Sequence, residues 1–494
     1  MKVLFLPLDD RPVTYIYPQL VAKAAGIVPI VPPRTLFGSL SASAKVESLI
    51  SWIDAAIARE RPSALLLCLD TLLYGGLIDS RRSSDSFKTI FDKLCVLKTW
   101  SKSAGPLAPI YGQASIMRIS DNYDATEEKQ YWTRFGREIF AWSSQLHRLL
   151  RGDELPAGLL AAAEYRIPPD IRRDYTDTRF RNFQINSKLI DFVSGQTINR
   201  LVFSLDDSGE TGLNILERDK LLQQVRDNNL TRSVACYAGA DEVLCALFAH
   251  WLVDVKGQRP KANLSYTSEE ARQCQSLYEG QTIAETITAQ LNGCGIDLSP
   301  DANPDLHIIV HAAHRQGDHI HLPGHADLRQ VDTSAAVRST LKILEESAAP
   351  CVLIDAAYAN GADPALIDAL LKRQDLLNKL ISYAGWNTTG NASGSALALA
   401  VAYWARAVGG GRDEALSECL FTRLADDWAY QSCVRGTITA EASTAQLASL
   451  MTPYVSRIAE AMNYQPKSLT LSFPWNRTFE IEVGIDTRLA GVTS

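Results

Sequence analysis

Acidic residues gather where apolar runs end, and two of these places carry adjacent aspartates. The first is Leu8-Asp9-Asp10-Arg11-Pro12 and the second is Leu205-Asp206-Asp207-Ser208-Gly209. A third apolar run ends in Asp70, with Tyr74-Gly75-Gly76 and Ser80-Arg81 following, and others lead to Asp241-Glu242, Asp355 and Asn360-Gly361-Ala362-Asp363. Adjacent carboxylates repel each other and hold together only with a cation, a metal or a substrate donor beside them. Arg11 can serve the first pair; the second has no basic neighbour in sequence. Paired carboxylates suit general acid–base work or oxygen ligation of Mg²⁺ or Mn²⁺. Aspartate is also a good helix N-cap, and for Asp241 and Asp363 capping is the expected role.

Other side chains suit a polyhydroxylated ligand. Trp386 offers a flat apolar face to a pyranose ring, and Asn387 and Asn391 can bond hydroxyl groups; the plainer reading is a buried tryptophan followed by Asn turns. Arg477 can meet an anionic group or form a structural ion pair. Six of the eight histidines fall at His307, His311, His314, His319, His321 and His325. Their HxxH and HxH spacings are compatible with a metal, but the stretch is a polar loop without HExxH. No GxGxxG, Walker or GxSxG motif occurs, so nucleotide and serine-hydrolase readings lack support.

The elements that position these residues alternate. Apolar runs at 2–8, 27–31, 64–69, 109–113, 200–205, 233–239, 305–311, 350–355 and 379–385 read as buried strands. Amphipathic stretches such as 46–60, 216–227, 241–255 and 332–347 read as helices between them. Doubly buried strands alternating with helices predict an α/β fold of repeated β/α units with mainly parallel sheets. Two doubly wound domains are expected, a distorted (β/α)8 barrel being the alternative. The expected divisions are 1–255 with a helical insertion at 124–195, a second α/β domain at 256–408, and a C-terminal helical segment and β-hairpin at 409–494. In either architecture ligands bind beyond the carboxyl ends of the strands.

The 494 residues carry a formal net charge of −7. No basic face is implied, so nucleic acid and anionic membranes are not expected partners. Nine scattered cysteines without a CxxC pair suggest free thiols in a reducing compartment. The apolar start is too short for a signal peptide and no run approaches membrane-spanning length, so a cytoplasmic location is expected.

The segment LVFSLDDSG resembles the catalytic strand of the hexosaminidases that remove N-acetylglucosamine from proteins. That resemblance implies that Asp206 polarises a substrate acetamide, whose oxygen attacks the anomeric carbon, while Asp207 protonates the leaving group. Alternate strand side chains face opposite ways, so both reach one site only if the chain bends, which Ser208-Gly209 permits. The set PLDDRPVT, LDTLLYGGLIDSR, LDDSGETG, AGADEV, YANGAD, YAGWNTTGN and FPWNRTFE is similar to an uncharacterised bacterial domain-of-unknown-function family, from residue 3 to about 482. Its pattern includes Asp241, Glu242, Trp475 and Glu480, but usually has Asn where this chain has Thr14. The resemblance implies carbohydrate chemistry by association with sugar-uptake and amino-sugar genes.

Together these readings make Asp206 and Asp207 the catalytic pair of a glycoside hydrolase acting on a small, possibly N-acetylated saccharide. Asp9, Asp10, Arg11, Asp70, Tyr74, Arg81, Asn360, Asp363, Trp386, Asn387, Asn391 and Arg477 are assigned to substrate binding. No cofactor is expected. The alternatives are a divalent-metal-dependent hydrolase, isomerase or lyase, and a two-lobed sugar-binding sensor.

Overall fold

The computed structural model describes residues 1–105, 107–300, 303–320, 331–406 and 413–489. They divide into two compact units. The first comprises 1–10, 28–244 and 278–280; the second comprises 11–27, 245–277 and 281–494.

The first unit is built on β1 (Lys2–Leu6), β2 (Val28–Ile30), β3 (Leu65–Cys68), β4 (Ile110–Ile116), β5 (Arg200–Leu205) and β6 (Val234–Ala238). All pairings are parallel, in the order β2-β1-β3-β4-β5-β6. Strands β3, β4 and β5 are buried at every residue, which is why their sequences are predominantly apolar without period-two alternation, the polar Gln113, Ser115 and Ser204 bonding one another. The crossover helix Val46–Glu60 buries Val46, Leu49, Ile53, Ala56 and Ile57, a helical 3–4 spacing that puts one face on the core. Between β4 and β5 lie the helices Trp132–Leu150, Leu159–Tyr165 and Pro169–Ser194, packed around Trp132, Ile139, Trp142 and Tyr175.

The second unit contains β7 (Lys261–Tyr266), β8 (Asp297–Leu298), β9 (Leu306–His311), β10 (Gly317–Asp318), β11 (Cys351–Asp355), β12 (Tyr358–Ala359) and β13 (Leu380–Ala384). Its main sheet is parallel in the order β13-β11-β9-β7-β8. Numbered within the unit, the second strand lies outside the first and the rest follow on the other side, as in the first unit. Both sheets are open, so the barrel alternative is not what forms. The short pair β10 and β12 follows β9 and β11 at their carboxyl ends. Helix Thr389–Ala405 is rich in Ala, Gly and Ser and almost wholly buried, since small side chains let it pack closely against β13 and β11. The chain continues through helix Glu414–Arg423 into an eleven-residue π-helical segment, Leu424–Val434, then helix Thr444–Met462. The antiparallel hairpin of β14 (Tyr464–Ser472) and β15 (Glu482–Leu489) ends the described chain. Among the described residues no helix is long and apolar enough to cross a membrane.

Candidate functional site

A parallel sheet brings the carboxyl ends of all its strands to one edge. In the first unit that edge collects Asp9 and Asp10 after β1, Asp70 after β3, Arg118 after β4, and Asp206 and Asp207 after β5. The strand order reverses between β1 and β3, the kind of place where open α/β sheets bind ligands.

Asp206 and Asp207 stand at the centre of an ion-pair cluster. Arg81 Nη2 lies 3.0 Å from Asp206 Oδ2. Arg118 Nη1 lies 3.4 Å from Asp206 Oδ2 and 2.9 Å from Asp207 Oδ2, so one nitrogen touches both carboxylates. Glu128 receives Arg81 at 3.1 Å and Arg118 at 2.8 Å, and Glu127 receives Arg118 at 3.1 Å. The basic partners that the local sequence withholds from the aspartate pair therefore come from elsewhere in the unit.

Two backbone features bring the side chains round. Asp207 has a φ of +39°, a left-handed conformation that costs a non-glycine residue energy and turns the chain out of the strand. Its neighbour Ser208 is then held by Tyr278–Gly280: Ser208 N donates to Tyr278 O at 2.7 Å and Ser208 Oγ to Glu279 O at 3.1 Å. Burial first, and the charge of Asp206 second, push the Asp207 carboxyl up to about 7, against the opposing pull of Arg118. The Asp207 side chain keeps 35% exposure, so solvent reaches it.

Asp70 has a different role. Strand β3 stops at Cys68, opposite Gln113 of β4, and the chain turns at once into helix Leu69–Tyr74. Asp70 Oδ2 takes the N–H of Ser115 at 2.8 Å, continuing the ladder that β3 no longer supplies. Ser115 Oγ in turn meets Gln113 and Ser204 at 3.0 Å. Burial pushes Asp70 up to about 6. The Tyr74 ring lies under the Arg181 guanidinium at 5.6 Å, and its buried hydroxyl has no hydrogen-bond partner among the described residues. Asp10 accepts Arg34 Nη2 on its main-chain oxygen at 2.6 Å, and Asp9 is buried.

The second unit holds the other assigned residues. Arg11 Nη1 meets Glu480 Oε1 at 3.3 Å and its guanidinium lies over Trp475 at 5.0 Å. Arg477 also pairs with Glu480, through Nε to Oε2 at 2.7 Å. Arg11 and the PWNRTFE motif thus meet although 469 residues separate Arg11 from Glu480. Trp386 is buried against Phe479, ring centres 5.6 Å apart. Asn387 and Asn360 both take positive φ, and Asn360 N donates to Asn387 O at 2.8 Å. Asn360 Nδ2 donates to Asp318 Oδ1 at 3.0 Å, and Asn391 lies buried in the first turn of helix Thr389–Ala405.

Asp363 caps helix Pro364–Leu370 by accepting Ala365 N at 2.9 Å. Its other oxygen faces His311 Nε2 at 2.9 Å, while His311 Nδ1 faces Thr340 at 2.8 Å. Asp355 Oδ2 takes the N–H of Asp363 at 2.7 Å and the Tyr383 hydroxyl at 3.2 Å. Of the remaining clustered histidines, His307 bonds Ser265 and Ser347, and His319 bonds the Ala362 carbonyl. His314 is exposed, and His321 and His325 lie outside the described residues. Among the described residues no three His, Cys, Asp or Glu side chains group in a way that could hold a metal ion.

Several residues receive no role from the sequence. Arg118 follows the end of β4 by two residues, and Glu127 and Glu128 lie at the start of the stretch 124–195 read from the sequence as a helical insertion. Asp426-Asp427 is a third aspartate pair, hidden because it lies in a helical region. Arg423 Nη2 reaches Asp426 at 2.6 Å and Asp427 at 3.1 Å, and Asp427 Oδ2 also accepts Gly385 N at 2.7 Å. Burial pushes Asp427 up to about 7, Arg423 opposing and Asp426 adding to the rise.

Residues 3–484 match the family model described as "Protein of unknown function (DUF4127)". No curated protein and no solved structure matches the chain.

Proposed function

The chain belongs to the DUF4127 family of proteins of unknown function, and from that premise we propose that it is a glycoside hydrolase of a small saccharide bearing a 2-acetamido group. One observation carries the reading. Two successive carboxyl groups share Arg118 Nη1, and burial and the Asp206 charge push the more exposed one, Asp207, up to about 7. A general acid works best with a pKa close to the operating pH.

In this mechanism Asp206, held by Arg81, accepts the acetamide N–H and orients the group. The acetamide oxygen attacks the anomeric carbon as the glycosidic C–O bond breaks, and Asp207 gives its proton to the leaving oxygen. Water then opens the cyclic intermediate, returning a proton to Asp207 and restoring the acetamide. The positive charge around the pair comes from Arg81 and Arg118. That supports this reading over one in which Asp206 and Asp207 bind a divalent cation.

The test is a screen of the whole protein against chromogenic α- and β-glycosides with and without the 2-acetamido group, each with EDTA and with added Mg²⁺ or Mn²⁺. EDTA-resistant release confined to acetamido substrates is expected. Release that requires metal would move the same aspartates into ligand roles.

A further inference from the structure

The helix that follows β5, Leu213–Asp227, starts at Gly212, a residue with no side chain to cap it. The first N–H groups of a helix have no partner within it and need acceptors from elsewhere. Here helix Trp132–Leu150, between β4 and β5, supplies them. Gly212 N donates to His147 Nδ1 at 3.1 Å, and Leu213 N donates to Ser143 Oγ at 2.8 Å. Beside them Ser144 Oγ meets Thr211 Oγ1 at 2.6 Å. Three consecutive residues, Thr211, Gly212 and Leu213, are thus fastened to one helix, shortly after the turn that carries Asp206 and Asp207.

His147 is the titratable member of this set. An amide N–H only donates, so the bond from Gly212 requires an unprotonated Nδ1, with the ring proton on Nε2. A second proton puts two donors face to face and ends the bond. The ring is buried, and burial is the first cause of a pKa below the usual histidine value. The charges facing it come from both helices. Arg151 lowers the pKa and Asp153 raises it, at the C-terminal end of its own helix, while Arg218 lowers and Asp219 raises it from the helix after Gly212. These charges pair with one another rather than with the ring: Arg148 and Arg151 bond Asp153, and Arg218 bonds Asp219. Glu210, in the loop, acts on Arg151.

We propose that His147 is a pH-sensitive latch on the candidate site of the first unit: neutral, it fastens helix Trp132–Leu150 to the segment after Asp206 and Asp207, and protonated, it lets that segment go. Gly212 then loses its acceptor, the start of helix Leu213–Asp227 opens, and the loop between Asp207 and Gly212 is held less firmly. Because the ring is harder to protonate in the folded chain, the stability it contributes is full above the ordinary value of 6.5 and is lost as pH falls below it. The latch rests on contacts within the first unit and not on the chemistry proposed for Asp206 and Asp207.

The experiment is hydrogen exchange of the full chain, read by mass spectrometry at about pH 7.5 and about pH 5 and corrected for the intrinsic exchange rate. Protection of the segment 209–216 should fall about fivefold or more at the lower pH, while strand β4 stays protected. His147→Asn places an amide oxygen where Nδ1 stands, an acceptor at either pH, and should lose most of that fall. Ser143→Ala should lower protection at both pH values and keep the fall between them. The Asp207 carboxyl, pushed up to about 7, is present in both variants, so its own protonation produces no difference between them. A further readout needs no variant: nitrogen NMR of the wild-type histidine rings should show His147 neutral, with its proton on Nε2, at about pH 7.5. The proposal is overturned if protection of 209–216 is equal at the two pH values, if a folded His147→Asn variant keeps the whole wild-type fall, or if the wild-type ring carries its proton on Nδ1 at the higher pH.

Discussion

The guanidinium of Arg118 donates to Asp207 Oδ2 at 2.9 Å, reaching from the end of β4 to the end of the neighbouring β5. This pairing opposes the burial and like-charge repulsion that raise the Asp207 carboxyl to about 7. Removing the cation should therefore raise it further. In Arg118→Met the alkaline limb of the pH–rate profile should move to higher pH, with lower turnover overall. Arg118→Lys, which keeps the charge, should leave that limb near its wild-type position. A limb that does not move in the methionine variant would mean that Asp207 is not the titrating acid.

Gly280 supports the same site from behind. It has a φ of +62°, and a Cβ there would stand 2.5 Å from the main-chain carbon of Gly209. Gly280→Ala should cost about 1–2 kcal/mol from the left-handed backbone alone, displace the Asp207-Ser208 turn and lower kcat. Gly26→Ala is the control: its φ is +72° but nothing lies within 4 Å of the added atom. It should show a similar stability loss in denaturant unfolding with kcat unchanged.

Stability should depend on pH through the buried acids of the second unit. Burial pushes Asp355 to about 6 and Asp427 to about 7, both above the ordinary value of 3.8. In that window the folded chain binds these protons more tightly than the unfolded chain does, so stability falls as pH rises from about 4 to about 7. Denaturation midpoints measured across this range should show the slope, and Asp427→Asn should flatten it. An unchanged slope in that variant would assign the dependence to other groups.

The ion pair between Arg179 and Glu217, with Nη2 to Oε2 at 2.6 Å, joins the helical insertion to the helix that follows β5. Arg179 Nη1 also donates to the main-chain oxygen of Arg118 at 3.3 Å. Glu217→Ala leaves a buried guanidinium unpaired and should cost about 3–5 kcal/mol in chemical denaturation. Replacing both residues with apolar side chains should recover much of that loss. A cost near zero for the single change would show that the pair is solvated.

The parallel sheets were legible because central strands such as β4 and β5 are buried on both faces and so carry predominantly apolar sequence without period-two alternation. The strand ends were legible too, since Asp70, Asp206 and Asp207 interrupt those runs. Two things were not. The shared strand order of the two units leaves no repeat in the sequence, because order is set by crossover packing rather than by any residue pattern. The partners of Asp206 and Asp207 were also hidden: Arg81 and Arg118 reach them across 125 and 88 residues. Arg11 illustrates the same limit from the other side. Beside Asp9 and Asp10 in sequence, it groups with the second unit and pairs with Glu480.

The central claim is that Asp207 acts as the general acid. The direct measurement is release of the leaving group from an activated 2-acetamido chromogenic glycoside, compared with a poorly activated one, by wild type and Asp207→Asn. With the poorly activated leaving group the variant should lose about 10²–10⁴ in rate, with less loss for the activated one, which needs little protonation. Equal rates for wild type and variant on both substrates would contradict the assignment.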